Sequence, residues 1–162
     1  MKKVYNIFLL ITIISILGIL YIQYDNITFK NNPLSKDITA KIEQESLKIR
    51  KKIFQIYGVN VNFPIKITDK IPPNVYGLAT ITQTNQIIIF LNKKRFKESE
   101  NYMYGVLAHE YAHAMMFYFG DFTKENSGHS KKWQQICYAI GGTKCERFVD
   151  RHDILIDKIS FN

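Results

Sequence analysis

Apolar and polar residues follow four distinguishable patterns along the chain, and each predicts a different kind of element. Residues 7–22 are apolar apart from Thr12, Ser15 and Gly18, with no polar face, which predicts a helix suited to lipid rather than water. Residues 37–57 place Ile38, Ile42, Ile49, Ile53 and Ile56 largely on one face, with Lys, Arg and Glu opposite. That is an amphipathic helix, capped by Asp37 and stopped by Gly58. Residues 59–67 alternate V-N-V-N-F before Pro64 and read as an edge-tolerant strand. A turn at residues 71–74 follows. Two strands, 76–82 and 86–91, then fold back on each other around Gln83, Thr84 and Asn85. The run Ile87, Ile88, Ile89, Phe90 has the most buried character of the three strands. A charged connection over residues 93–100 leads to a helix that starts near Asn101 and is almost wholly apolar around its centre. Gly120 and Asp121 end it, and the polar residues 123–128 let the chain reverse. A second helix over residues 130–140 ends at Gly141 and Gly142. In the mixed remainder, Ile154, Leu155, Ile156 and Ile159 are expected to pack on the domain.

These elements predict an α+β protein in three parts. Residues 1–24 form a signal anchor or transmembrane helix, residues 25–36 a polar linker, and residues 37–162 one small domain. The domain comprises a supporting helix, a small and mostly antiparallel sheet, and a two-helix hairpin; about 125 residues suffice for a single core. The apolar run spans about 24 Å against a hydrocarbon core of roughly 30 Å, and Tyr21 and Tyr24 are placed to anchor its far end. No small-x-small cleavage site follows it, so an uncleaved anchor is preferred, with secretion after signal cleavage as the alternative. Lys2 and Lys3 hold the N-terminus in the cytoplasm and would export the domain. Lys48, Arg50, Lys51 and Lys52 lie more than twenty residues downstream and weaken that orientation without reversing it.

Charge and cysteine content refine this picture. The formal charge is +8, but lysines are scattered through a chain rich in Lys, Ile, Asn and Tyr. Its clusters at residues 48–52 and 93–97 suit a solvated face or anionic headgroups as well as nucleic acid. The partner implied at this level is a membrane through residues 4–24, with nucleic acid the lesser candidate. Cys137 and Cys145 flank Gly141 and Gly142, and outside the cytoplasm that spacing permits a disulfide pinning the helix end.

Candidate chemistry is concentrated in H-E-Y-A-H, residues 109–113. On a helix, positions i and i+4 share a face, so His109 and His113 can address one metal ion. Glu110, one residue on, is near enough to reach a water on that metal without being a ligand. Buried imidazoles beside a carboxylate need partners or a metal, and the apolar setting argues for burial. A catalytic zinc takes three protein ligands and leaves one position open. His129, sixteen residues past His113, starts the second helix, and an antiparallel helical hairpin would bring it beside the first two. His152 sits in a polar segment without a helical partner, and Glu125 is the acidic alternative.

H-E-Y-A-H, a loop, and then G-H-S-K-K-W resemble the SprT-like family, whose pattern is H-E-x-x-H followed by a third His in a G-H-G-x-x-[WF] context. The resemblance covers roughly residues 38–148 and implies a zincin-like fold carrying Zn2+. It puts the metal ligands at His109, His113 and His129, the catalytic acid/base at Glu110 and the family's aromatic position at Trp133. Residues 77–92, G-L-A-T-I-T-Q-T-N-Q-I-I-I-F-L-N, are similar to the family's small-residue hairpin. Ser130 departs from the usual Gly, and no C-x-x-C zinc ribbon follows. What is implied is a zinc metallopeptidase whose partner is a protein or peptide substrate, cut in exposed or unfolded segments, here membrane-anchored with its catalytic domain outside the cytoplasm. A cytoplasmic DNA-associated protease and a non-catalytic metal-binding scaffold are the alternatives.

Overall fold

A computed structural model describes residues 2–72, 74–97, 102–122, 129–143 and 145–146. The expectations for Glu125, His152 and the apolar residues 154–159 lie outside them. The chain divides into two compact units, Met1–Ser35 and Lys36–Asn162.

The first unit is helix α1, Lys2–Asn31. Its stretch Val4–Phe29 is long and apolar enough to cross a membrane, and its large apolar side chains are exposed. Thr12 and Thr28 donate their hydroxyls to the carbonyls of Phe8 and Tyr24 at 2.9 and 2.6 Å, the way hydroxyl residues fit an apolar helix. Residues 25–31, expected as linker, are helical. Polarity alone does not break a helix, and the first residue that must is Pro33, which disfavours helical backbone at Asn32.

The second unit is α+β. Helix α2, Lys36–Tyr57, buries Ile42, Ser46, Ile49 and Ile53 and packs on the helix that carries H-E-Y-A-H. Gly58 terminates it with φ of 69°. Ile56, expected on the core face, is exposed; Tyr57 makes the closing contact instead, edge-on to Phe119 at 5.6 Å.

Strands β1 (Ile65–Thr68), β2 (Gly77–Ile81) and β3 (Ile87–Asn92) form one sheet in the order β1-β3-β2. The β2–β3 hairpin is antiparallel as expected, turning at Asn85 in the left-handed region. The first strand pairs with β3 in parallel, so the sheet is mixed rather than mostly antiparallel. The cause is topological. β2 occupies one side of β3, and the turn before it lets β1 reach only the other side, running the same way as β3. Asn92 is fully buried and holds that turn, its side-chain amide donating to the carbonyls of Pro72 and Val75 at 3.0 and 2.7 Å.

The register of the hairpin matters for the site. Asn92 N–H donates to Tyr76 O and Thr82 N–H to Gln86 O, both at 2.9 Å. Even-numbered residues of β2 therefore exchange hydrogen bonds with β3, while Gly77, Ala79 and Ile81 turn their backbone groups to the opposite edge, which has no partner strand among the described residues.

Helix α3, Tyr102–Tyr118, is buried on nearly every side from Val106 to Met116 and packs against α2, β2 and β3. Gly120, at φ of 77°, closes it with the paired bonds Gly120 N–H to Phe117 O and Asp121 N–H to Met116 O. Helix α4, Lys131–Ala139, packs on α3 and ends the same way at Gly141 and Gly142. Just beyond, Cys145 is joined to Cys137 by a disulfide. A Cβ at Gly142 would fall 2.5 and 2.6 Å from the two sulfurs, so only glycine lets the chain pass there.

Candidate metal centre

His109 and His113 project from one face of α3, and His129 comes from the residue before the N-cap of α4. Ser130, in place of the family pattern's usual Gly, is that N-cap and accepts from Trp133 N–H at 3.2 Å. The departure thus fixes the start of the helix that presents the third imidazole. The helix pair meets again where the Lys132 ammonium approaches the Asp121 carboxylate at 3.4 Å.

The three rings form a nearly equilateral triangle with centroids 4.9, 5.0 and 5.1 Å apart, and their ligand atoms lie within 4.8 Å of one another. The Nε2 atoms of His109 and His129 are 3.1 Å apart. Two nitrogens on one tetrahedral zinc stand about 3.4 Å apart, so the set fits such an ion after small ring movements. Burial first, and then the neighbouring His113 and His129, hold the pKa of His109 down at about 3. A neutral imidazole is the form that binds metal. The donor set therefore fits zinc both in chemistry and in spacing.

Trp133, wholly buried, packs on all three imidazoles with ring centroids at 4.6, 4.9 and 4.5 Å. It stands four residues after His129, one helical turn on. Its bulk backs the cluster and keeps the rings from turning away from one another.

Glu110 is turned from the histidines' common face toward β2. Its Oε2 accepts from Ala79 N–H at 2.8 Å, one of the backbone donors that the hairpin register leaves at the free edge. Burial pushes its pKa up to about 8, an effect partly offset by the Ala79 bond. Gly77 makes room for it, since a Cβ there would lie 2.7 Å from Glu110 Cγ and 2.9 Å from Oε1. The sequence reading singled out neither Gly77 nor Ala79 individually. The signal was present in the small residues of G-L-A-T, which leave space for a neighbouring side chain.

Tyr111, inside the motif, is also fully buried, with its hydroxyl 2.6 Å from Ser46 Oγ on α2. This pair locks the supporting helix to the helix that carries the histidines, and the sequence reading did not find it.

In comparison with known families, the model described as the SprT-like family matches residues 20–152. No curated protein and no solved structure matches the chain.

Proposed function

The chain belongs to the SprT-like family, and from that premise we propose that it is a membrane-anchored zinc metallopeptidase acting on exposed or unfolded protein segments. The observation that carries the reading is the convergence of His109, His113 and His129 on one point, with Glu110 beside them on the same helix. The three imidazoles would hold the zinc in a zincin-like, two-helix arrangement. Bound zinc supplies Lewis acidity, lowering the pKa of coordinated water to about 7 and polarising a peptide carbonyl.

The protein's own groups do the rest. Glu110, in its ionised form, would take a proton from the attacking water and deliver it to the leaving amine; the burial that raises its pKa to about 8 makes that ionised form the stronger base. Trp133 and the apolar side chains around α3 bury His109, while His113 and His129 stay half-buried. The free edge of β2 offers backbone groups at Gly77, Ala79 and Ile81 for pairing with an extended substrate. Recognition of that kind reads main chain rather than side chains, which suits unfolded segments.

Anchoring through α1 is supported by its length and exposed apolar surface. Export of the catalytic unit is supported by Lys2 and Lys3 before the span, and by the Cys137–Cys145 pairing, which belongs to an oxidising compartment. The same pairing weighs against the cytoplasmic, DNA-associated alternative.

The test compares the full-length protein with Glu110→Gln and His129→Ala for bound zinc and for cleavage of casein. The parent should bind zinc and cleave, the Gln variant should bind without cleaving, and the Ala variant should lose or weaken zinc. If no zinc binds even after reconstitution, the reading is wrong. A reporter fused to the C-terminus and active only when exported tests the orientation.

A further inference from the structure

We infer that the Ala79 N–H serves two acceptors in turn: the Glu110 carboxyl oxygen in the free protein and a carbonyl of the substrate backbone when a strand pairs with β2. Pairing at the edge is then the event that releases Glu110. The consequence for catalysis rests on the metallopeptidase reading; the exchange of hydrogen bonds itself does not.

Three observations lead to this. The register set by the Tyr76–Asn92 and Thr82–Gln86 bonds turns Ala79 N–H away from β3, toward the edge where any added strand must bind. That N–H is already taken, donating to Glu110 Oε2 at 2.8 Å. A backbone N–H has one hydrogen and makes one well-aligned bond at a time, so an incoming carbonyl and Glu110 compete for it. Finally, Gly77 leaves open the space that the Glu110 side chain occupies against β2, so the contact is built in rather than incidental.

The exchange makes substrate form a condition for chemistry. A chain whose carbonyls are committed to its own helix or sheet has none to give Ala79, and Glu110 stays bound to the edge. An extended, unpaired segment supplies the carbonyl and frees the carboxylate. In the free protein the same contact covers one donor of an edge strand that would otherwise invite pairing with other chains. Ala79 and Gly77 are accordingly positioning residues, acting through Glu110.

The test uses full-length protein in nanodiscs, reconstituted with zinc and labelled with 15N-alanine, which gives six amide signals. The probe is an extended octapeptide N-methylated at alternate residues, which keeps one hydrogen-bonding edge and resists hydrolysis. Because the parent must give up the Glu110 bond to bind it, Glu110→Ala should bind the peptide roughly tenfold more tightly. Glu110→Gln keeps the shape with a neutral acceptor and should show a smaller gain, which also covers failure of the Ala variant to fold. The Ala79 amide should lose its carboxylate-bonded shift in Glu110→Ala and acquire a new one on peptide addition in every variant. Unchanged or weaker binding in both variants, or an Ala79 signal indifferent to the peptide, overturns the inference. Zinc content is read on the same samples. Absent zinc with tighter binding removes the peptidase reading and leaves the exchange standing, whereas bound zinc with unchanged affinity does the opposite.

Discussion

Replacing Gly77 with Ala is the substitution whose sign is most informative. In a strand, Gly to Ala ordinarily stabilises by about 0.4–1 kcal/mol, because it restricts the unfolded chain. Gly77 is not in the left-handed region, so its backbone raises no objection. The objection is Glu110: the new Cβ would stand 2.7 Å from Glu110 Cγ, where non-bonded carbons rest at roughly 3.5–4.0 Å. The carboxylate must therefore retreat by about 1 Å, in a buried site packed on both sides. Overpacking of that kind costs about 1–3 kcal/mol, leaving a net loss of about 1–2 kcal/mol after the unfolded-state gain. For a domain of this size that is roughly 4–8 °C in Tm. A 1 Å misplacement of the general base should lower kcat about a hundredfold while bound zinc is retained. The assay is thermal unfolding, zinc content and casein cleavage on one preparation. Glu110→Asp in the same background shortens the offending side chain and should recover stability but not activity, giving a coupling energy of at least about 1 kcal/mol. A Gly77→Ala protein as stable and as active as the parent would refute the packing argument and the placement of Glu110 with it.

Two further outcomes are expected. In zinc-free protein the Glu110 pKa is raised from 4.5 to about 8, so its stabilising contribution is full below pH 4.5 and lost as pH rises through 8. His109 is lowered from 6.5 to about 3 and acts oppositely, its contribution present above pH 6.5 and lost as pH falls toward 3. Tm measured against pH in chelator should fall toward both ends, and Glu110→Gln should flatten the alkaline limb alone; an unchanged limb contradicts the burial of that carboxyl. Cys145→Ser opens a bridge spanning a sequence separation of 8 and should cost about 2.5 kcal/mol in urea unfolding. Zinc affinity should move little, because His129 and Trp133 lie at the opposite end of α4, held by Ser130. A large loss of zinc would show that the bridge supports the cluster.

Periodicity made α2 and the hairpin legible, since which face of an element is apolar is written locally, whereas α3 is legible from an apolar run that surrounds the H-E-Y-A-H motif on all sides. The i and i+4 spacing of His109 and His113 is likewise a local property. His129 was reachable because Gly120 and the polar residues before it require a reversal. What stayed hidden depends on partners distant in sequence. The strand expected over residues 59–67 forms only at Ile65–Thr68, past Pro64, with the alternating residues 59–63 outside the sheet. Nothing in that stretch says it will meet β3 in parallel, as that follows from which side of β3 the hairpin leaves open. Ser46 reads as a polar residue on an apolar face until Tyr111 arrives from 65 residues away. Glu110 was assigned by its place in the motif, but its hydrogen bond goes to a backbone N–H, which has no residue type to recognise. The end of α1 was misjudged because polarity was taken as the stop when Pro33 supplies it.

The brevity of the join between the two units carries a consequence of its own. Four residues, 32–35, separate α1 from α2, and even fully extended they reach only about 14 Å. Were α1 to sit in a bilayer as proposed, so short a join would tether the second unit to the membrane, and whatever shares that surface would be met at an effective concentration in the millimolar range. A strand edge that pairs with backbone, as proposed for β2, would have little power to choose among sequences. Under the proposed function the choice would pass to geography: the chains at risk would be those that come unfolded within reach of the anchor.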